Sequence, residues 1–201
     1  MSGALPTGDG ADLSGLPLLR TARLQLQVLH PRYAALVAQY HQDNGAHLAP
    51  WEPPRPADFA DTPFWAGRLE VAQDEARRQQ SLRLWISEGH GAPTAVVGSI
   101  NFTNVCRGPF QACNLGYALA RTAQGQGWMT EALRAAIDFV FQQWHLHRIQ
   151  ANYIPENVRS GAVLERLGFV KEGRARDYLF INSRWSDHVL TSLTNPEPVS
   201  P

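Results

Sequence analysis

The sequence predicts a single α/β (α+β) domain, with a mixed, mostly antiparallel, twisted sheet of about seven strands carrying about four helices. Three observations lead there. Hydrophobic segments of period two and period 3.6 follow one another in the order β-α-α-β-β-β-α-β-α-β-β. Several of the strands are consecutive and joined by short turn-like loops, which makes them antiparallel neighbours. No internal repeat and no mid-chain linker divides the 201 residues, a length that one domain accommodates.

Residues 20–29 alternate, with Leu24, Leu26 and Val28 on one side and Arg23, Gln25 and Gln27 on the other, as in a half-buried strand. Pro31 suits a first helical turn, and a helix is expected to about His41. Residues 50–63 hold five prolines and a tryptophan and read as loop. A second helix is expected over 63–80, with Phe64, Leu69 and Ala72 or Ala76 on one face. Strands follow over 81–88, 95–101 and 112–120, the first two joined by the Gly- and Pro-containing 89–94. A long helix over 128–144 carries the stripe Leu133, Ile137, Val140 and Trp144. A strand over 147–154, a short helix from Asn157 to the stop glycine Gly168, and strands over 169–181 and 184–193 complete the order. Asn182-Ser183 is a two-residue hairpin turn. Residues 1–15 and 195–201 are expected to be loose tails around a domain spanning 16–194.

Composition excludes several classes. Hydrophobic residues make up 44% and charged residues 18%, which is globular. Lys plus Arg equals Asp plus Glu, 18 each, so the balance gives no sign of nucleic-acid or membrane-surface binding. Cys106 and Cys113 are too few for a disulfide framework, and both are expected reduced. No apolar run approaches the ~18–20 residues that span a bilayer. The start of the chain lacks a basic segment and an apolar core, so no signal peptide is expected and a cytoplasmic protein is.

The chemistry centres on residues 115–132, where a strand ends, the chain turns through Gln124-Gly125-Gln126-Gly127, and a helix begins. Glycines allow close backbone approach, and a helix start offers unpaired amides and the positive end of its dipole. Together they suit a diphosphate. The spacing is neither the dinucleotide GxGxxG nor GK[ST], and a purely structural turn would use the same glycines.

About thirty residues after that turn comes N-x-x-S-x-x-x-L-E-R-L-G-F-x-x-E-G, over 157–173. This combination resembles the GNAT acetyltransferases, and within them the branch that acetylates ribosomal-protein N-termini. The likeness covers about residues 95–194, including VVGSINFTNVCRGPFQACNLGY. It implies acetyl-CoA as cosubstrate, no metal, and as acceptor the N-terminal alanine of ribosomal protein S5. It also implies that the strands over 112–120 and 147–154 splay apart, with the thioester between them. Backbone of Tyr117, Ala118 and Leu119 would pair with the pantetheine arm. Amides of Gln124, Gly125, Gln126, Gly127, Trp128, Met129 and Thr130 would hold the diphosphate, and Asn157 and Ser160 would touch the cofactor. The family's Gln or Arg three residues before the first glycine is Thr122 here, beside Arg121, which weakens one phosphate contact and leaves the backbone cradle intact.

Catalytic candidates are Ser160, Asn152 and Asp177. The resemblance places Ser160 by the sulfur, where its hydroxyl can protonate the leaving thiolate; otherwise it is a solvated first-turn serine. The Glu and Tyr that related N-terminal acetylases carry are Asn152 and Leu164 here. Asn152 can hold a relaying water or be a plain sheet-face amide. Asp177 is either a base or the partner of Arg174 or Arg176. Asn157 suits a helix N-cap in any case, and a strand tyrosine such as Tyr117 suits the core. An α-amine, with a reference pKa of ~7.7–8.0, needs less help than a lysine at ~10.4. His145 and His147 lack further ligands for a metal and read as a polar strand entrance. Trp51, Trp65 and Trp85 suit either core or acceptor wall. The alternatives to a protein N-terminus are a small-molecule amine, or a CoA-binding regulatory protein without catalysis. The expected partners are acetyl-CoA and the acceptor, with no membrane and no direct nucleic-acid contact, in a monomer or homodimer.

Overall fold

In a computed structural model the described residues, 15–197, form eight strands and four α-helices. Of the tails expected at 1–15 and 195–201, residues 1–14 and 198–201 lie outside the described residues. In chain order the elements are β1 (Leu18–Arg20), β2 (Leu24–Gln27), α1 (Ala34–Leu48), α2 (Thr62–Arg77), β3 (Leu82–Glu88), β4 (Gly98–Cys106), β5 (Ala112–Leu119), α3 (Trp128–Trp144), β6 (Arg148–Gln150), α4 (Val158–Arg166), β7 (Val170–Ile181) and β8 (Arg184–Thr194). One sheet takes the order β1-β2-β3-β4-β5-β6-β8-β7. Every neighbouring pair is antiparallel except β5–β6.

The eighth strand arises because residues 20–29 are not one strand. Thr21 breaks them: its amide donates to the Leu24 carbonyl at 2.9 Å, and its hydroxyl accepts from the Leu24 amide at 3.0 Å. This side-chain turn needs neither Gly nor Pro, so the alternating pattern hid it. α1 runs past His41 to Leu48, entered through a 3₁₀ turn at Pro31–Tyr33. The His30 ring accepts from the Arg32 amide there at 3.1 Å. The strand expected at 147–154 pairs only over Arg148–Gln150, with one further bridge between Tyr153 and Val189. At the expected tail from Asn195, that residue's amide still donates to the His147 carbonyl at 2.8 Å.

Strand alternation gives the sheet two unlike faces. Leu24, Leu26, Leu84, Ile86, Ile100 and Phe102 form an apolar face with α3, whose Leu133, Ile137, Val140 and Trp144 are all buried. On the other face, under α1 and α2, Trp85 meets Trp65, Tyr40 and His41 in one ring cluster. Burial of side chains this large contributes about 2–3 kcal/mol each. Trp65 and Trp85 are thus core, whereas Trp51 is 39% exposed.

Candidate active site

The turn after β5 is built as expected and is reinforced from outside. Gly125 and Gly127 lie in the left-handed region, at φ +78° and +76°, where L-residues are strained. Gly127 is the N-cap of α3, and no side chain caps that helix. The amides of Trp128, Met129 and Thr130 therefore point out of the helix start without an intrahelical acceptor. The side chains of Trp128 and Met129 are core, so only their backbone is available here. Asn44 of α1 accepts from the Arg121 amide at 3.0 Å. Gln124 sits between His47, 3.0 Å away, and Arg159, which donates to its Oε1 at 2.7 Å.

Two cations border this cradle that the sequence did not single out. Arg159 is one, immediately before Ser160, so the motif itself pointed to it. Arg23 is the other: it donates to the Gln126 carbonyl at 3.0 Å and to Glu131 at 2.7 Å. Glu131, in the first turn of α3, also takes the Thr21 hydroxyl at 2.6 Å and the Arg23 amide at 3.0 Å. Burial alone would raise its pKa, but these hydrogen bonds and the Arg23 charge hold it below the ordinary glutamate value. Unpaired amides, two glycines without Cβ atoms and flanking guanidinium groups suit an anion with several oxygens.

Beside the cradle the sheet parts. β5 pairs with β6 only at Ala112–Arg148, Cys113–Ile149 and Asn114–Gln150. β5 then continues through Leu119, so the edge at Tyr117, Ala118 and Leu119 faces an opening instead of a neighbouring strand. On the α4 side of the opening, the Tyr117 hydroxyl lies 2.8 Å from Ser160 Oγ and donates to the Ser160 carbonyl at 3.1 Å. Asn157 caps α4 by accepting from the Ser160 amide at 3.2 Å, which fixes where the serine stands. Burial pushes the Tyr117 pKa up to about 12, against the opposing Ser160 hydrogen bond. The phenol is therefore protonated at neutral pH.

On the opposite side stand Asn152 and Tyr178. Asn152 Nδ2 donates to the Tyr178 hydroxyl at 3.2 Å, and its Oδ1 accepts from the Thr191 amide at 3.3 Å. The Tyr178 ring lies 5.4 Å from that of His188. The β7–β8 turn reaches across to the α1–α2 loop, where the Asn182 amide donates to the Glu52 carbonyl at 3.0 Å.

The candidates thus sort into two groups. Ser160, Asn157, Tyr117 and the cradle lie together, while Asn152 belongs to the Tyr178 side. Asp177 joins neither group. It is exposed at φ +46°, on a bulge of β7, and its amide donates to Asp187. Nor does Asp177 pair with Arg174 or Arg176, the alternative reading: Arg174 pairs with Asp187 at 2.8 Å, and no ion pair among the described residues joins Asp177 to Arg176. Tyr178, the residue after Asp177, is the one that reaches Asn152; only the bulge, which no sequence pattern marks, turns it there. Among the described residues no group of three His, Cys, Asp or Glu is placed to hold a metal. His145 ends α3 at φ +51° and His147 is exposed.

The family model for the acetyltransferase (GNAT) domain matches residues 23–170. The ribosomal protein uS5-alanine N-acetyltransferase of Escherichia coli K12 is 42% identical over 186 residues, covering 92% of this chain and 95% of its own. Among solved structures, the ribosomal-protein-S5-alanine acetyltransferase from Vibrio fischeri superposes with a TM-score of 0.86 at 36% identity, over 92% of this chain and 99% of that one. Mycobacterium smegmatis RimJ in complex with CoA-disulfide superposes with a TM-score of 0.81 at 30% identity, over 90% and 89% of the two chains.

Proposed function

The chain belongs to the acetyltransferase (GNAT) family and is an acetyl-CoA-dependent N-acetyltransferase; from that premise we propose that its acceptor is a protein N-terminal α-amine, the alanine of ribosomal protein uS5 foremost. The observation that carries the site is the parting of β5 from β6 after three paired residues, beside an uncapped helix start. Likeness over nine-tenths of the chain to relatives named as uS5-alanine acetyltransferases supports the acceptor.

The cradle fits the cofactor's diphosphate: the amides of Gly125 through Thr130 supply donors, with Arg23 and Arg159 flanking them, while the Gln124 amide is taken by the Arg121 carbonyl at 3.4 Å. The free edge of β5 at Tyr117, Ala118 and Leu119 supplies backbone groups for the pantetheine arm. When bound, acetyl-CoA supplies an activated thioester carbonyl. Ser160 Oγ, hydrogen-bonded to the protonated Tyr117, is the proton donor on the α4 side. Asn152 and Tyr178 position the acceptor amine from the opposite side. Neither is a strong base, which suits an α-amine that is already partly neutral near pH 7.5.

The test is thiol release from acetyl-CoA with a peptide of the uS5 N-terminus, the same peptide with its α-amine blocked, and a panel of small amines. Turnover should require the free peptide α-amine. Turnover of small amines with no reaction of the peptide overturns the acceptor.

A further inference from the structure

A cleft of about 540 Å³ lies beneath α2 on the sheet face opposite α3, away from the diphosphate cradle. Its lining carries Arg68, Arg78, Arg83 and Arg107 against one carboxylate, Glu75. None of these arginines is in an ion pair; the pairs among the described residues use Arg23, Arg55, Arg77, Arg148 and Arg174. Glu75 is already engaged, accepting from the Ser81 hydroxyl at 2.5 Å. Arg107 is bonded to the neutral oxygens of Trp144 and Gln79. Among the described residues the Arg83 side chain makes no hydrogen bond; its guanidinium stands 5.9 Å from the Trp65 ring. Burial first, and the charge of Arg68 second, hold its pKa below the ordinary arginine value. The group stays protonated nonetheless, so the cleft holds surplus positive charge in partly dry surroundings, an arrangement that an anion relieves.

The cleft and the β5 edge lie on one face of the sheet. Arg83 is paired directly across from Asn101, and Asn101 from Gly116 of β5, so all three share one face. Asn101 Oδ1 is buried without a partner, and Gly116 is exposed. Ser99, two residues before Asn101, is paired with Ala118, at the proposed reaction edge. An extended peptide and a strand both advance about 3.3 Å per residue. From an amine at Ala118, a peptide running along β5 over the exposed Gly116 therefore comes level with Asn101 and Arg83 at about its third residue and with Thr103 at about its fifth.

We propose that this cleft is the subsite for an acidic side chain of the acceptor polypeptide, an Asp or Glu two to four residues behind the reacting α-amine, received by Arg83 and Arg68. The proposal rests on the protein N-terminal reading of the acceptor. A polypeptide is favoured over nucleic acid because the cations are confined to one recess of a chain with equal numbers of acidic and basic residues. The recess also lies on the strand path that leads to the reaction edge.

The experiment measures kcat/KM for pairs of N-terminal peptides that differ only by Glu or Gln at positions three to five, with the wild type, Arg68→Gln and Arg83→Gln. Arg68 is exposed on α2, so its variant tests the idea even if Arg83→Gln fails to fold, which circular dichroism checks. The acidic peptide should react about tenfold better at one of these positions, the value of one charge-assisted hydrogen bond. Each variant should shrink that ratio while leaving the Kd of acetyl-CoA unchanged. Equal rates for Glu and Gln peptides overturn the subsite alone, as does a preference that survives in both folded variants. No reaction with any peptide, beside turnover of small amines, overturns the acceptor reading and the subsite with it. Inhibition by a short RNA that is lost in Arg68→Gln, without any Glu preference, assigns the recess to nucleic acid and also overturns the proposal.

Discussion

Tyr117 and Ser160 illustrate what one residue pair contributes and how little of it the sequence displays. Ser160 lies in a recognisable motif, and the capping role of Asn157 follows from local chemistry alone. That Tyr117 is the hydroxyl's partner depends on contact across 43 residues, which no local pattern encodes. A positioned proton donor contributes roughly 10²–10⁴-fold. Ser160→Ala is accordingly expected to lower kcat at least about tenfold with the KM for acetyl-CoA little changed, and Tyr117→Phe to lower it less, both read by steady-state thiol release. His41 makes a different prediction. It is stacked on Trp65 at 4.6 Å with neither ring nitrogen bonded, and burial lowers its pKa to about 3. The neutral ring is the one that fits the fold. Below the ordinary histidine value of 6.5 the unfolded chain takes up a proton that the folded chain refuses, so stability falls from there down towards pH 3. The loss at pH 5 is about 2 kcal/mol relative to neutral pH. Urea unfolding at pH 5 and 7.5 should show it, and His41→Phe should flatten it.

Among the elements, strong periodicity with clear end signals was legible. α3 runs over Trp128–Trp144, the span its stripe predicts. The β7–β8 hairpin turns at Asn182 and Ser183 with φ +47° and +60°, as a two-residue primed turn requires. Serine is the poorer fit at the second position. Ser183→Gly should stabilise by about 1 kcal/mol, or ~2–4 °C in Tm for a chain of this size. The cradle responds in the opposite direction. Alanine at Gly125 and Gly127 must adopt φ near +77°, between their +78° and +76°, at about 1–2 kcal/mol each. The double variant should keep its helical circular dichroism while the Kd for acetyl-CoA, by calorimetry, rises at least about tenfold. What stayed hidden at this scale were features made by side chains and not by period: the Thr21 turn that divides β1 from β2, and the β7 bulge that leaves Asp177 outside and brings Tyr178 in.

For the whole molecule, the order of elements and the mixed sheet followed from pattern, and the opening between β5 and β6 followed from family likeness. The location of the surplus arginines did not, because four positions spread from Arg68 to Arg107 meet only through tertiary packing. Long-range ties such as Glu131 to Thr21 and Arg23 were equally invisible, although they bind the first hairpin to the cradle.

The brevity of the β5–β6 ladder has a thermal consequence. Among the described residues, three rungs are the sheet's only seam between the block from β1 to β5 and the block made of β6, β8 and β7. A ligand lying across that seam acts as a staple, and it can do so only while both blocks are closed on it. Saturation at a hundred times Kd adds about 2.7 kcal/mol, which predicts a rise of roughly 5–10 °C in the melting temperature with acetyl-CoA. Hydrogen exchange should slow first along the seam, and the cosubstrate should be required on the enzyme before the peptide docks.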